Sequence, residues 1–368
     1  MNRFESYTPT DFLRELSLAF GPSGCEGNVA DLIREFVAPY ADEVTTDRRG
    51  TVIATYKKRR ETPAYDSDEE PGEVTAHPDC EKLMLSAHMD EVGFMIKAID
   101  GDGYLKMTGM ASRDPNLLGG RNVTVGDETR KINGFVGIKA VHQGGVGNFD
   151  QLYVDIGAKN KEEAEKYVEP GMFACHRSDF VRFGPGGHKL KGKAIDDRLG
   201  CTVLCWVLKH LAETKAELPF DVVCAFTTCE EIGRSSALTA ANKIQPDIAI
   251  NFEATAVEDI IGDKYGYVAK QGQGGCISFL DRSSIVNREM YDFIFAVAEK
   301  YGIPAQAKTY VSGGNDAGPI HTSGKGAKTV VISAPARYIH SAANVVDERD
   351  LYSIIELAKA AIKELGNA

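Results

Sequence analysis

Acids and histidines that could bind metal ions or move protons stand in five separate stretches of this chain: His88 and Asp90, Asp196-Asp197, Glu230-Glu231, Glu253, and His340. Taken alone, an Asp-Asp pair that opens an apolar helix reads as one helix cap and one solvated acid. Taken with the other four stretches, it completes the inventory of a two-metal site. A catalytic zinc takes about three protein ligands and a water. If Asp196 bridges, one ion has His88, Glu253 and Asp196, and the other has His340, Glu231 and Asp196. Three carboxylates and one hydroxide then balance two divalent charges. A water shared by ions about 3.5–4 Å apart loses its proton near neutral pH, and each ion can polarise a carbonyl oxygen. Zinc is the first expectation for this donor set, with cobalt or manganese as alternatives.

Glu230 is left over from the ligand count. Neighbouring residues leaving a strand point to opposite sides, so with Glu231 on a metal Glu230 faces the water. There it can take the proton and pass it to a leaving amine. Asp90 lies two residues beyond His88, on the same side of an extended backbone. It can accept the other ring N–H of His88 and fix the tautomer.

These residues need elements to bring them together. Leu83–His88, Asp221–Thr228, Asp247–Phe252 and Thr329–Ala334 read as buried strands, and each precedes one of the stretches. Asp196 follows a short run at Leu190–Ile195. Helices are expected at Asp11–Phe20, Glu26–Pro39, Asp197–Thr214, Ser235–Lys243, Arg288–Tyr301 and Glu348–Leu365, from their 3.6-residue apolar period and end signals. Alternating strands and helices imply an α/β fold, an open sheet with helices on both faces. Ligands in such sheets gather outside the carboxyl ends of the strands.

Between Phe94 and Leu190 the texture changes to short strands cut by Gly, Asp and Pro signals: Phe94–Ile99, Tyr104–Thr108, Asn122–Val125, Gly134–Val141 and Leu152–Gly157, with one helix at Lys161–Tyr167. That spacing predicts a small all-β barrel or sandwich inserted into the α/β domain. The expected division is 1–93 and 191–368 for the α/β domain and 94–190 for the insertion. Arg59–Glu81, charged and without period, is expected to be an exposed loop.

The bulk numbers narrow the partners. With 368 residues and 43% hydrophobic content the chain can build a large core. A net charge of -11 argues against nucleic acid or an anionic membrane as partner. Eight cysteines without a C-x-x-C pair point to neither a disulfide framework nor a zinc knuckle. No stretch has the length of a membrane span or the pattern of a signal peptide, so a reducing cytoplasm is expected. The remaining histidines, His77, His142, His176, His188, His210 and His321, lack partners at ligand spacing. Glycines around Gly313-Gly314-Asn315 allow close backbone approach and make that loop a candidate for substrate binding.

The motifs H-M-D-E-V-G (88–93), A-I-D-D-R-L-G (194–200), C-E-E-I-G (229–233), G-G-N-D-A (313–317) and R-Y-I-H-S (337–341) resemble, in order and over nearly the whole chain, the co-catalytic metallo-aminopeptidases of the tetrahedral (TET) type. This is metallopeptidase family forty-two, with glutamyl and deblocking aminopeptidases and members labelled cellulase M or endoglucanase. The resemblance implies a zinc-peptidase-like mixed sheet and the same assignments: His88, Asp196, Glu231, Glu253 and His340 as ligands, Glu230 as general base. It also implies a cis peptide at Asp196-Asp197, an inserted domain used for dimerisation, short peptides as substrates, and assembly of dimers into a tetrahedral dodecamer. Glu253 stands where the family usually has Asp, Cys229 where it usually has Gln, and Asn315 where it usually has Thr. Alternatives on the same residues are a metal-dependent deacylase or dipeptidase, or an endoglucanase. The last would leave both histidines and Asp196 idle, since glycosidases need only two carboxylates.

Overall fold

The computed structural model describes residues 3–59, 80–111, 114–140, 142, 144–145, 148–260, 269–311 and 313–367. Helix α1 (Pro9–Leu18) begins where Thr8 and Asp11 cap each other's amides and Pro9 sets the first turn. Helix α2 (Gly27–Val37) buries Val29, Ile33, Phe36 and Val37. Strands β1 (Glu43–Thr46), β2 (Val52–Tyr56) and β3 (Lys82–His88) follow. Most of the loop expected at Arg59–Glu81 lies outside the described residues.

Six strands then close a barrel: β4 (Gly93–Ile99), β5 (Leu105–Met110), β6 (Asn122–Gly126), β7 (Lys131–Gly137), β8 (Tyr153–Asp155) and β9 (Phe173–His176), in the order β4-β5-β8-β7-β6-β9. Short helices α3 (Pro115–Leu118) and α4 (Lys161–Ala164) lie between them. Phe94, Leu105, Val123, Val125 and Val154 fill the barrel's own core. The strand expected at Gly134–Val141 is β7, which starts earlier and stops at Gly137. Its start is set by a tight turn in which Asp127 accepts the amides of Thr129 and Arg130, so that Gly126 faces Lys131. The helix expected to reach Tyr167 ends at Ala164.

Strands β10 (Val181–Phe183) and β11 (Lys189–Gly192) leave the barrel. The remainder of the chain is α5 (Ile195–Thr214), β12 (Asp221–Thr227), α6 (Ala237–Ile244), β13 (Ile248–Ala256), β14 (Gly275–Ser278), α7 (Arg288–Tyr301), β15 (Ala305–Lys308), α8 (Ala317–His321), β16 (Lys328–Ala336), β17 (Asn344–Asp347) and α9 (Glu348–Gly366). Strands β10, β11 and β17 form a small sheet. The barrel strands therefore end at His176, whereas the sequence carried the insertion to residue 190.

The main sheet is eight-stranded and mixed, in the order β1-β2-β12-β3-β13-β16-β14-β15. Its centre, β12, β3, β13 and β16, is parallel, and β1, β2 and β14 add antiparallel pairs. One face presents Leu83, Leu85, Phe226, Phe252 and Ile332 to a core shared with α1, α2, α5 and α9. The other face packs Met84, Ala225 and Ala249 against α6 and α8. Towards the carboxyl ends this second face turns polar, with Ser86, His88, Asn251, Glu253 and Ser333 in successive positions. The change from apolar to polar on one face marks the site.

His176 ends β9, is 1% exposed, and lies edge-on to Phe94 at 5.9 Å. Both ring nitrogens lack a hydrogen-bond partner. Burial pushes its pKa down to about 4. Because the folded value lies below the unfolded one, the fold is favoured above pH 6.5 and loses that contribution as pH falls. Between pH 7 and pH 5 this amounts to about 2 kcal/mol. Denaturant titration of wild type and His176→Phe should show a shallower loss of stability in the variant over that range; equal losses would contradict the assignment.

Candidate metal centre

His88 is the last residue of β3, and Asp196 sits where α5 begins. At Asp196 and Asp197 the backbone is not yet helical, and the peptide between them is cis, as the resemblance implied. The two acids have different tasks. Asp197 accepts the Gly200 amide at 2.9 Å and the His88 amide at 3.3 Å. It therefore caps the helix and ties it to β3. Asp196 is 5% exposed and places one carboxylate oxygen 3.3 Å from Nε2 of His88 and the other 3.3 Å from Nε2 of His340.

Glu253 and Glu231 complete the ring. Glu253 Oε1 lies 3.4 Å from His88 Nε2, and Glu231 Oε2 lies 3.2 Å from His340 Nε2. Glu253 is inside β13, which runs on to Ala256 because it stays paired with β16 to Ala336; the sequence had ended that strand at Phe252. His340, beyond β16, is the most open of the group, with its side chain 46% exposed. All five expected ligands are thus brought together.

Glu230 and Glu231 lie in a turn after β12 rather than on an extended strand, so alternation along a strand does not orient them. Asp90 does. Its carboxylate accepts the Glu230 amide at 3.0 Å, the Glu231 amide at 3.1 Å and the Ser23 hydroxyl at 2.6 Å. Nδ1 of His88 is 3.2 Å from the Asp90 carbonyl and 3.3 Å from its carboxylate. Asp90 therefore lies against the imidazole and also pins the Glu-Glu turn, which the sequence did not show. Cys229 enters that turn at φ 59° and donates its amide to Glu26 at 3.1 Å.

The loop at Gly313–Asn315 is anchored beside the site. The Asn315 side chain donates to Asp281 at 2.9 Å and accepts the Ala317 amide at 2.9 Å. Gly313 accepts the Arg282 amide at 2.8 Å. Asn315 therefore works as a tether for the loop. Behind the site, Lys193 meets Glu91 at 2.5 Å, and Arg198 binds the Leu16 carbonyl at 2.7 Å. This buried knot grips both flanks of Asp196 and the residue after Asp90. A charged Lys, Glu and Arg inside otherwise apolar segments was the available signal, but nothing in the spacing pairs them.

The family model of the M42 glutamyl aminopeptidases matches residues 72–357. The chain belongs to this family. As an M42 peptidase it is a hydrolase of peptide bonds. It is 29% identical over 365 residues to the lysyl aminopeptidase of Pyrococcus furiosus, covering 96% of this chain and 97% of that one. A solved aminopeptidase of Desulfurococcus kamchatkensis superposes with TM-score 0.87 at 31% identity, covering 98% of this chain and 95% of that one. The TET1 peptidase of Pyrococcus horikoshii, which can assemble into a tetrahedron or a large octahedral shell, gives TM-score 0.82 at 28% identity, covering 96% of this chain and 98% of that one.

The donor atoms of this M42 site suit divalent cations. Those of His88, Asp196 and Glu231 lie within 4.8 Å of one another, as do those of His88, Asp197 and Glu253. The second grouping includes Asp197, but both its oxygens already accept amide hydrogens. Asp196 Oδ1, in contrast, is buried and accepts no hydrogen bond, so Asp196 is the open donor. Two imidazoles and three carboxylates are a donor set for zinc, cobalt or manganese.

The electrostatics show what the cluster needs. Burial opposes charge on His340, yet Asp196 and Glu231 push it up to about 11. Burial likewise opposes charge on His88, and Glu253, Asp196 and Asp90 raise it well above the ordinary value. Burial, against the pull of His88, raises Glu253 to about 8. Burial raises Glu230 to about 10, opposed by His88 and aided by Glu253, Asp316 and Glu231. Without cations, therefore, the imidazoles hold protons to offset crowded carboxylates. A divalent charge inverts that balance, and ligands must lose their protons to bind it. Adding zinc to the metal-free protein at pH 7 in weak buffer should release a proton from each imidazole, and affinity should rise with pH. An indicator dye reads the release; binding without it, or equal affinity at pH 6 and pH 8, would contradict this reading.

Proposed function

We propose that the chain is a metal-dependent aminopeptidase that removes N-terminal residues from short peptides at a pair of divalent ions. The observation that carries this is the Asp196 carboxylate, buried, with an imidazole nitrogen 3.3 Å from each oxygen. His88, Asp196 and Glu253 would hold one ion, and His340, Asp196 and Glu231 the other. When bound, two such ions supply an acidified water and polarise the scissile carbonyl.

The chain's own residues do the rest. Glu230, buried among carboxylates, takes the proton of the attacking water and returns it to the departing amine. Asp90 holds Glu230 in place through the amide of that residue and keeps Nδ1 of His88 engaged, which leaves Nε2 free to ligate. The carboxylates ringing the site attract a free α-ammonium and so favour the end of a chain over its middle. A glycosidase reading gains nothing from this geometry, because it leaves His88, His340 and Asp196 without a task.

We further propose that the chain forms a homo-oligomer built from dimers, up to a tetrahedral dodecamer, and works in the cytoplasm. Exposed Phe135 and Ile138 on and beside β7 support a barrel-mediated contact, and the likeness to an assembling peptidase supports the larger shell. All eight cysteines are free thiols, in keeping with a reducing compartment. No helix among the described residues is long and apolar enough to cross a membrane.

Metal-stripped protein, given zinc, cobalt or manganese, should cleave aminoacyl-p-nitroanilides. Glu230→Gln should lower turnover by about 10²-fold or more and leave metal content and assembly unchanged. Cleavage indifferent to chelator, or a Glu230→Gln variant of full activity, would refute the proposal. Activity confined to acylated peptides or dipeptides would reassign it as a deacylase or dipeptidase.

A further inference from the structure

Glu26 holds the cap position of α2, yet its side chain bonds no amide of that helix. Short polar residues ordinarily cap helices, and Glu26 is 7% exposed. A buried carboxylate is costly unless hydrogen bonds meet it, so its partners show what it serves. Its Oε1 accepts the Gly24 amide at 2.8 Å and the Cys229 amide at 3.1 Å. The Cys229 thiol lies 3.6 Å from the same oxygen. Burial and the charge of Asp90 raise the Glu26 carboxyl, and the amides of Gly24 and Cys229 oppose the rise.

Cys229 is where the chain turns after β12, immediately before Glu230. Its φ of 59° is disfavoured for a residue with a side chain. The turn closes on itself through the Gly233 amide to the Glu230 carbonyl at 2.8 Å and the Arg234 amide to the Cys229 carbonyl at 3.1 Å. Arg49 holds its far end through the Arg234 carbonyl at 2.6 Å. At its near end Asp90 takes the amides of Glu230 and Glu231, and Glu26 takes the amide of Cys229.

One segment governs both near anchors. Ser23 donates its hydroxyl to Asp90 at 2.6 Å, and Glu26 follows three residues later. The segment is itself fixed. The Glu91 amide bonds the Gly21 carbonyl at 3.0 Å, and the Cys25 amide bonds the Pro22 carbonyl at 2.8 Å. Cys25 packs on Cys175 and Phe173 of the barrel, and the Gly27 amide bonds Glu128 of the barrel at 3.1 Å. Glu26 therefore reaches the turn from a rigid support.

We infer that Glu26 is a positioning residue for the reaction: by holding the Cys229 amide it fixes the direction in which Glu230 presents its carboxylate. The inference rests on the general-base role of Glu230 proposed above. Without that acceptor the strained residue at Cys229 can relax, and Glu230 moves with it. Small displacements of a reacting group cost large factors in rate.

The test compares zinc-loaded wild type, Glu26→Ala and Glu26→Gln on an aminoacyl-p-nitroanilide, with metal content measured in each. Glu26→Ala should lower kcat by about 10-fold or more and leave KM and metal content unchanged. Glu26→Gln, whose side-chain oxygen can still accept both amides, should recover most of that loss. An Ala variant with wild-type kcat, a loss of kcat that follows loss of metal, or a Gln variant as impaired as Ala overturns the inference. Should Glu26→Ala not fold, Glu26→Asp, which withdraws the acceptor by one methylene, must show the same loss in smaller degree. Hydrogen exchange resolved to single amides reads the turn without turnover. The amides of Glu230 and Glu231 bond to Asp90 rather than to Glu26, so their exchange reports the freedom of the whole turn. Faster exchange of both in Glu26→Ala but not in Glu26→Gln supports the anchor even if no anilide is cleaved, in which case only the aminopeptidase reading fails. Exchange equal in all three proteins overturns the anchor.

Discussion

A carboxylate held between two imidazoles, Asp196 between His88 and His340, is the contact on which the rest of the structure depends. Burying it is costly, because ionised groups lose their hydration. The protein meets that cost with neighbours that leave Asp196 little freedom. Asp197 caps α5 and grips the His88 amide. Asp90 holds the His88 ring and the Glu230-Glu231 turn. Glu91, Lys193 and Arg198 lock the segments on either side. Two acids of the site are thus paired in sequence with a neighbour that supports the site: Asp196 with Asp197, and Asp90 with Glu91.

The sheet explains why these residues meet. Its four central strands run parallel, so their carboxyl ends lie at one edge. One face is apolar throughout and takes α1, α2, α5 and α9. The other is apolar only as far as α6 and α8 cover it, then becomes polar. Short strands β14 and β15 extend that polar face past Glu253. The barrel, with its own core, is attached immediately after the His88 motif and leaves the catalytic sheet unbroken.

How much of this could be read in advance depended on range. The clustering of His88, Asp196, Glu231, Glu253 and His340 was legible because apolar strand patterns end next to them, and the parallel α/β alternation brings strand ends together. The barrel was legible from turn signals. Strands β9, β14 and β17 were not, because four-residue strands buried on both faces carry no alternation, nor was β15, four largely half-buried residues without alternation. The shift of β7 followed from a side-chain turn at Asp127 that pattern alone does not register. Contacts such as Asp90 with the Glu230 amide, Glu26 with Cys229, and Glu91 with Lys193 join residues about a hundred or more positions apart in sequence. No local spacing encodes them.

The most direct test of a bridged pair of ions is anomalous diffraction at the zinc edge from crystals of the zinc-loaded protein. The account predicts two peaks, one on each side of the Asp196 carboxylate and about 3.5–4 Å apart, the first beside His88 and Glu253 and the second beside His340 and Glu231. A single peak, or two peaks that do not share Asp196, would contradict it.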